Sequence, residues 1–237
     1  MKRFMLLAAL ACCTTVMNAQ NPKGKYSIKP MAGINVTGLS GGAYSDLYHN
    51  KVRFTGGVEA EYGVNDWLGI SLGAVYSQQG AKVEGGISAQ SVKDGTTYIS
   101  NFIMEGKLHC EYINIPLMAN IYIPQVKGLA VKIGIQTGLL IGSKMEESYA
   151  LVTYPDIDYE DNRLHTSDTD YTFGNLWLSD VCKSVDFGIP VGLSYEYRNV
   201  VLDARYYFGL TKIDKTENPE DCRNRYFSFT LGYRFHL

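Results

Sequence analysis

The sequence predicts an all-β protein: an eight-stranded antiparallel transmembrane up-and-down β-barrel with short periplasmic turns and long extracellular loops. Segments of about ten residues alternate between apolar and polar side chains, which is typical of strands whose two faces meet different surroundings. About ten residues is also the length that a tilted strand needs to cross a bilayer. The connections alternate between tight turns and long polar segments, as they do in outer-membrane barrels.

Eight segments carry the alternating pattern, at 26–36, 53–63, 67–77, 111–123, 129–141, 185–198, 200–210 and 227–237. In the last of them Phe227, Phe229 and Leu231 share one face, whereas Arg234 lies on the other. The tight turns VNDW, PQVKG and RN follow the second, fourth and sixth segments, and long polar connections follow the others. We therefore expect lipid to cover the apolar face of each strand and the lumen to hold its polar face.

Glycines on the polar faces of these segments decide between two all-β alternatives. A secreted, soluble lipocalin-like barrel would turn those faces to water, where glycine only weakens a strand. A transmembrane barrel of eight strands needs small residues there, since its narrow lumen must leave room for Arg and Tyr side chains. The membrane barrel is therefore favoured by Gly33, Gly57, Gly69, Gly73, Gly134, Gly138, Gly188, Gly192, Gly209 and Gly232.

The N-terminus has the pattern of a secretory signal peptide. Lys2 and Arg3 precede a short apolar stretch, and Ala19 is the small residue before the expected cleavage site. Residues 1–19 are then the signal peptide and residues 20–237 the outer-membrane β-barrel domain; the alternative is lipidation at Cys12. The formal net charge of −2 and the absence of a basic stretch argue against a nucleic-acid partner. The expected surroundings are outer-membrane lipid.

Charged residues also occur on the predicted lumen-facing side of the strands. Cations and carboxylates are nearly balanced in number, and buried charges persist only when they are paired and hydrogen-bonded. We expect a self-satisfied network of ion pairs that fills the lumen; an ion or proton path is the functional alternative. The network is predicted to contain Lys29, Arg53, Glu59, Glu61, Lys132, Asp186, Glu196, Arg198, Asp203, Arg205 and Arg234.

The long connection that includes YPDIDYEDNRLHTSDTDYTFG combines tyrosines with acidic and hydroxyl side chains. Its Asp156-x-Asp-x-Glu start resembles a calcium loop, but Asp161 stands where an EF-hand needs glycine, and Ser167 where it needs glutamate. Tyrosines among small polar residues are typical of binding loops, because the rigid ring supplies contact area at low entropic cost. A surface protein or a glycan is the expected ligand, with Tyr149, Tyr154, Tyr159 and Tyr171 as candidate binding residues.

Catalysis is not predicted, and neither a cofactor nor a resident metal is expected. His49, His109 and His165 fall near the predicted outer rim, but no nucleophile, base and orienting group occur together in the sequence. A barrel-wall lipid-modifying enzyme is the alternative. The spacing of Cys110, Cys182 and Cys222 forms no CxxC motif. Cys182 and Cys222 fall about 10 Å apart on a flat ladder, so a bridge between them requires the loops to bend inward.

Four stretches resemble the PorT-like outer-membrane β-barrel family of Bacteroidota. They are YSQQG at Tyr76–Gly80, YINIPL at Tyr112–Leu117, ARYYFGLT at Ala204–Thr211 and LGYRF at Leu231–Phe235. The resemblance covers nearly the whole mature chain. It implies an eight-stranded barrel in the outer membrane, inserted by the barrel assembly machinery. Because one member of the family takes part in protein secretion, the resemblance also implies an alternative role in a secretion or uptake assembly.

The predicted barrel is expected not to conduct. Eight strands enclose an interior that side chains can fill, whereas aqueous porins have about sixteen strands. Bulky residues such as Tyr112, Met118, Tyr122 and Tyr207 occupy inward positions of the pattern. We therefore predict a membrane scaffold that displays four long loops for binding or assembly.

Overall fold

The computed structural model describes residues 23–41, 48–93, 96–155, 170–179, 182–213 and 222–237. Twelve strands form within these residues and hydrogen-bond into one sheet. No helix in this part of the chain is long and apolar enough to span a membrane. The strands are β1 (Tyr26–Ser40), β2 (Tyr48–His49), β3 (Lys51–Asn65), β4 (Leu68–Gln79), β5 (Lys82–Lys93), β6 (Thr96–Tyr122), β7 (Leu129–Pro155), β8 (Asp170–Ser179), β9 (Val185–Tyr197), β10 (Val200–Gly209), β11 (Arg223–Tyr233) and β12 (Phe235–His236).

Eight of these strands close into a ring. The order β6-β4-β3-β1-β11-β10-β9-β7 is completed by pairing of β6 with β7, and every pair in the ring is antiparallel. The first strand meets the last at Ile34 opposite Phe229. The predicted eight-stranded antiparallel barrel is therefore confirmed. The two strands that close the ring are longer than the alternating pattern indicated. β1 runs to Ser40, four residues beyond the predicted end at residue 36, and β11 begins at Arg223, four residues before the predicted start at residue 227.

Tight turns join the strands at one end of the ring, and long connections lie at the other. The two-residue turn between β9 and β10 places Arg198 at φ 48° and Asn199 at φ 68°. Two consecutive left-handed residues are the geometry of a type I′ hairpin, whose twist matches that of the flanking strands. The end with short turns is the periplasmic end of an outer-membrane barrel, and the opposite end is the extracellular end.

The apolar face of each barrel strand points outward. In β4 the burial of successive residues alternates strictly, with Leu72 55% exposed on the outside and Ser71 and Ser77 buried on the inside. This arrangement excludes the soluble lipocalin-like alternative, whose apolar faces would line the interior. Lipid is the surrounding that such a belt requires. Other outward residues of the belt are Ile34, Phe54, Ile70, Leu117, Ile133, Ile135, Leu193, Leu202, Phe227, Phe229 and Leu231.

A four-stranded extension rises beyond the extracellular rim, where the sequence pattern indicated loops. β6 and β7 each have 27 residues, and their outer halves stay paired with each other. β5 pairs with the outer half of β6, and β8 pairs with the outer half of β7. We call this extension the surface sheet: β5, residues 96–109 of β6, residues 143–155 of β7, and β8. Its fourteen-residue segment of β6 corresponds to roughly 45 Å of extended strand.

A β-bulge marks the junction between the barrel and the surface sheet. Glu111 pairs with Gly142, but the next residue of β6, Tyr112, pairs with Leu140, so Ile141 is an extra residue in β7. An extra residue bends its strand and increases the local twist. The surface sheet can therefore follow a direction of its own while β6 continues without interruption from the lumen to the surface.

Candidate functional site

Five charged side chains from four strands meet at the centre of the lumen. Lys29 Nζ lies 2.8 Å from Glu59 Oε2, and Lys132 Nζ lies 2.7 Å from Asp203 Oδ2. The Arg205 guanidinium contacts both carboxylates, with Nη2 2.7 Å from Asp203 Oδ2. All five residues have side chains that are at most 10% exposed. We call these residues the central cluster; its three cations share two carboxylates.

Glycines beside the central cluster make room for it. A Cβ atom on Gly73 would lie 2.9 Å from Glu59 Cγ, and one on Gly192 would lie 3.0 Å from Arg205 Cγ. Each of these glycines is the direct cross-strand partner of the charged residue that covers it. The large side chain thus comes from the neighbouring strand and lies over the glycine, rather than reaching it from the far side of the lumen.

A second group of charges lies near the periplasmic end. Arg234 places Nη1 2.9 Å from Glu61 Oε2 and Nε 2.8 Å from Glu196 Oε2. Glu61 also accepts a hydrogen bond from Tyr122 Oη at 2.5 Å and one from Asn120 Nδ2 at 2.9 Å. One cation therefore links two buried carboxylates, and polar neighbours satisfy the remaining acceptor positions of Glu61.

Asp186 and Arg53 stand apart from both groups, toward the extracellular end. Asp186 accepts hydrogen bonds from Thr211 Oγ1 at 2.6 Å and Asn224 Nδ2 at 2.9 Å. Arg53 contacts the ring of His109 at the rim. The predicted charges are therefore divided among three levels of the barrel.

Arg198 does not belong to the lumen network. It occupies the left-handed turn between β9 and β10, is exposed, and lies over the ring of Tyr197 with its guanidinium carbon 5.4 Å from the ring centroid. The expectation that it faces the lumen was wrong because the alternation of faces ends with the strand. A turn residue with positive φ points its side chain away from the ladder.

Large side chains fill the lumen above the central cluster. Tyr112, Tyr207 and Met118 are at most 1% exposed, and the rings of Tyr207 and Tyr226 stack with centroids 4.8 Å apart. Tyr226 Oη accepts a hydrogen bond of 2.8 Å from Gln136 Nε2. A cavity of about 30 Å³ remains among these residues, enough for one or two water molecules but not for a continuous aqueous path.

Most charged residues of the surface sheet lie on one of its two faces. Along β6, the residues in register with the lumen side are Phe102 and Met104, and their cross-strand partners are Leu151 and Tyr149. The rings of Phe102 and Tyr149 stack with centroids 5.9 Å apart, and Tyr149 is 37% exposed. The opposite face carries Lys82, Glu84, Glu105, Lys107, Lys144 and Glu146. We call the face with Phe102, Met104, Leu151 and Tyr149 the aromatic face.

Gly174 supports the aromatic face from β8. It is the cross-strand partner of Tyr149, and a Cβ atom at this position would lie 2.2 Å from Tyr149 Cζ. The tyrosine ring therefore lies flat over the glycine. This contact fixes the ring in the position in which it stacks against Phe102.

The predicted binding tyrosines are divided between the two faces of the surface sheet. Tyr149 lies on the aromatic face. By backbone register, position 154 of β7, opposite Ile99 of β6, and position 171 of β8, opposite Val152 of β7, belong to the other face. Tyr159 lies outside the described residues, as do the acidic residues Asp156, Asp158, Glu160, Asp161 and Asp168. Phe102 is a member of this surface that the sequence interpretation missed, since its segment was taken as an irregular loop.

Positive charge gathers where the barrel meets the surface sheet, above the apolar belt. Lys51 Nζ lies 3.2 Å from His109 Nε2, and Arg53 contacts the other ring nitrogen. Burial, followed by the charges of Lys51 and Arg53, lowers the pKa of His109 to about 4. Burial and the neighbouring Arg53 lower the pKa of Lys51 to about 8. Both nitrogens of His109 thus face cations, and Glu146 Oε1 lies 3.9 Å from Nε2.

The sequence also placed His49 and His165 near the outer rim. His49 is exposed and lies 3.9 Å from Glu84 Oε2. His165 is outside the described residues. The structure therefore brings no pair of these histidines together within the part of the chain that it describes.

The cysteines meet at the extracellular mouth, where Cys182 lies next to Cys110 and not next to Cys222, the partner considered from the sequence. Cys110 Sγ lies 2.9 Å from Cys182 Sγ, and Cys222 Sγ lies 3.3 Å from Tyr48 Oη. All three cysteines are buried in one apolar cluster with Leu39, Ala81, Leu108, Tyr112 and Ile213. The chain before β9 bends inward over the mouth, so the neighbour of Cys182 is the lumen-facing Cys110.

Three solved structures align with nearly the whole chain at low sequence identity. Ail of Yersinia pestis in complex with the heparin analogue sucrose octasulfate is 15% identical, with a TM-score of 0.40, and the match covers 90% of this chain and 99% of Ail. Neisserial surface protein A is 14% identical (TM-score 0.37; 89% and 97% covered). OprG of Pseudomonas aeruginosa is 10% identical (TM-score 0.36; 92% and 99% covered).

The sequence matches a family of outer-membrane β-barrels, in agreement with the closed ring of strands and its apolar outer surface. No curated protein matches this sequence. Residues 18–215 match the family described as outer membrane protein beta-barrel domain. That segment is well over half of the 237 residues. The protein is an integral outer-membrane barrel that displays its long connections at the surface, and the chain belongs to the outer membrane protein beta-barrel domain family.

Proposed function

We propose that this barrel is a non-conducting scaffold whose surface sheet binds a glycan or a protein through its aromatic face. The observation that carries the proposal is the stacked pair Phe102 and Tyr149, held on a sheet that continues directly from the barrel wall. Rigid aromatic side chains supply contact area at low entropic cost, and a β-sheet base fixes them better than a loop does. Neither catalysis nor a cofactor is part of this proposal.

Hydroxyl groups next to the aromatic pair favour a ligand with many hydrogen-bonding groups. Ser100 Oγ lies 3.0 Å from Thr153 Oγ1, and this pair follows Phe102 and Leu151 along the same face. Hydroxyls can both donate and accept, so they adapt to hydroxyl-rich ligands. An aromatic ring flanked by hydroxyls suits the alternating apolar and polar edges of a sugar, and equally the side chains of a protein epitope.

The proposal is tested with refolded full-length protein in lipid nanodiscs. The protein is applied to a glycan array and, separately, used to capture surface proteins that are then identified by mass spectrometry. We expect a ligand whose affinity falls at least about tenfold in Phe102→Ala and Tyr149→Ala, because the contact area of each ring is lost. Tyr197→Ala is the matched control, since Tyr197 is 40% exposed at the periplasmic end. Equal binding by all four proteins would contradict the proposal.

A role in a secretion or uptake assembly is the second candidate. It is favoured by the resemblance to the PorT-like family, of which we propose this chain is a member. In vivo photo-cross-linking from position 103 tests it, because Ile103 is 51% exposed on the face opposite Phe102. A stable cross-link to envelope proteins of a transport assembly would favour this candidate over ligand capture. A lipid-modifying activity would instead appear as altered lipid A in mass spectra of a deletion strain.

The processing of the chain is part of the same proposal. Residues 1–19 are proposed to be the signal peptide and residues 20–237 the mature barrel, delivered to the barrel assembly machinery. N-terminal sequencing of protein from outer membranes should begin at Gln20. A lipid-modified N-terminus at Cys12 would establish the alternative.

A further inference from the structure

Three buried cysteines lie at the junction between the barrel and the surface sheet. Cys110 is on β6, at the last lumen-facing position before the surface sheet begins, and is 0% exposed. Cys182 is on the segment that returns from β8 to β9 and is 2% exposed. Their sulfurs are 2.9 Å apart. A disulfide has a bond length of about 2.05 Å, so the two sulfurs need to approach each other by only about 0.9 Å.

The backbone contacts explain how residues 72 positions apart meet there. Ser143 on β7 is the direct cross-strand partner of Cys110, so both side chains lie on the same face of the sheet. The backbone N–H of Cys182 faces Ser143 Oγ at 3.5 Å, and the backbone N–H of Leu140 donates to Ser184 O at 2.8 Å. The returning segment therefore lies over the lumen-facing side of β7, which brings Cys182 to Cys110 rather than to the next strand along.

The third thiol has other neighbours. Cys222 Sγ lies 3.3 Å from Tyr48 Oη and 4.0 Å from the carbonyl oxygen of Gly41. Gly41 directly follows β1, and Tyr48 is the first residue of β2. The geometry thus distinguishes one pair of cysteines from one single cysteine.

We propose that Cys110 and Cys182 are joined by a disulfide in the exported protein, and that Cys222 stays reduced. An outer-membrane protein crosses the periplasm, where disulfides form and persist. The oxidant is an oxidised dithiol–disulfide oxidoreductase of that compartment, acting on the chain before the thiols are buried. One cysteine thiolate attacks the oxidoreductase disulfide, and the second cysteine then displaces the enzyme from the mixed disulfide. Two electrons and two protons pass to the oxidoreductase, which leaves as its dithiol.

The bridge would fasten the root of the surface sheet. The chain between Cys110 and Cys182 contains the barrel segment of β6, the whole of β7 and the whole of β8. Without the bridge, hydrogen bonds and apolar contacts hold the described part of the returning segment, from Cys182 onward, at the mouth. With it, β8 and the aromatic face that β8 supports are tied covalently to β6.

Peptide mapping tests the pairing directly. Full-length protein is purified from outer membranes without reductant, denatured, alkylated with iodoacetamide and digested. We expect one alkylated cysteine, Cys222, and one cross-linked peptide containing Cys110 and Cys182, which disappears when the sample is reduced before alkylation. Three alkylated cysteines, or a bridge that includes Cys222, would overturn the proposal.

Variants separate the bridge from ordinary packing. Cys222→Ser should keep the cross-linked peptide, and Cys110→Ser should leave both remaining cysteines open to alkylation. Refolding in the presence of reductant should increase proteolysis between β8 and β9 in the wild-type protein and in Cys222→Ser, but not change it in the double variant Cys110→Ser/Cys182→Ser. If the double variant fails to insert, the comparison of wild type with Cys222→Ser, each with and without reductant, still decides the matter. Proteolysis that reductant leaves unchanged in both would overturn the role of the bridge.

Discussion

Charged side chains fill much of the lumen, and each buried charge needs a partner of opposite sign. In the central cluster, Glu59 and Asp203 are each shared by more than one cation, and no member is more than 10% exposed. Ions removed from water in this way lose several kcal/mol of hydration each, which their partners must return. The cluster therefore tolerates the loss of one partner poorly, because the ions that remain stay buried without full compensation.

Replacing Glu59 by Gln should destabilise the barrel strongly. The change leaves Lys29, Lys132 and Arg205 with one carboxylate, and breaking a buried ion pair costs about 3–5 kcal/mol. Urea unfolding in lipid vesicles measures the effect. The control is Glu84→Gln, whose side chain is 53% exposed, and we expect a change within about 0.5 kcal/mol. An equal effect of the two substitutions would contradict the central role of Glu59.

His109 should make stability fall on acidification. Its pKa is lowered from 6.5 to about 4 in the folded protein, by burial first and then by Lys51 and Arg53, while Glu146 acts in the opposite sense. The unfolded chain therefore binds a proton near pH 6.5 that the folded chain binds only near pH 4. The contribution is complete above pH 6.5 and is lost as the pH falls from 6.5 toward 4.

The measurement is the free energy of unfolding in urea at several pH values between 7 and 4. We expect His109→Gln to flatten the dependence on pH in that interval, because glutamine keeps a polar side chain at the rim but does not titrate. Parallel curves for His109→Gln and the wild type would show that the cations around His109 do not oppose its protonation.

Among the elements, β6 and β7 decide what the surface of this protein looks like. Each is more than twice as long as the roughly ten residues that a strand needs to cross a bilayer, and their outer halves provide the two central strands of the surface sheet. β5 and β8 add to edges that would otherwise expose unpaired backbone groups. The aromatic face therefore rests on two strands that run from the membrane into the surface sheet and stay paired on both sides of the bulge.

Gly174→Ala should disturb the aromatic face without affecting the barrel. An added Cβ would lie 2.2 Å from the Tyr149 ring, so the ring must leave its position against Phe102. Aromatic pairs contribute about 0.5–1.5 kcal/mol beyond area burial. We expect a weaker near-ultraviolet circular dichroism signal and an unchanged heat-induced band shift on electrophoresis.

The control for this change is Gly142→Ala at the junction. The nearest atom to its added Cβ would be Glu111 Oε2 at 3.9 Å, an ordinary van der Waals distance. It should leave the circular dichroism signal unchanged. A similar signal in wild type and Gly174→Ala would mean that Tyr149 is not held by the glycine.

The whole molecule is a closed ring with an apolar outside and a packed, charged inside. Closure leaves no strand edge in the membrane, as the bilayer requires, since lipid offers no partner for backbone groups. Eight strands also set the width of the lumen, and large side chains occupy it from the periplasmic group to the stacked pair Tyr207 and Tyr226. The barrel is thus built as an anchor.

Refolded protein in a planar lipid bilayer should show no steady channel. The cavity among the described lumen residues near Tyr207 and Tyr226 is about 30 Å³, far below what a hydrated ion path needs. A trimeric porin recorded under the same conditions is the positive control. Reproducible unitary currents of porin size would contradict this prediction, whereas rare flickering openings would not.

The sequence alone determined the barrel, because each of its signals is local. The period of two between apolar and polar residues, as in Phe227, Phe229 and Leu231, depends only on the pleat of a strand in a two-faced surrounding. The alternation of short and long connections fixed the orientation in the same local way. The lumen-facing charges followed from the same period, except Arg198, which lies beyond the end of its strand.

Tertiary structure decided which of these residues meet. The pairing of the outer halves of β6 and β7 joins segments whose polar, tyrosine-rich composition is also that of irregular loops, so Phe102 and Tyr149 became neighbours only through the register of the sheet. Cys110 and Cys182 are 72 positions apart and meet because the chain before β9 bends over the mouth. Neither contact has a local signature, since both depend on how distant segments close into a ring and extend beyond it.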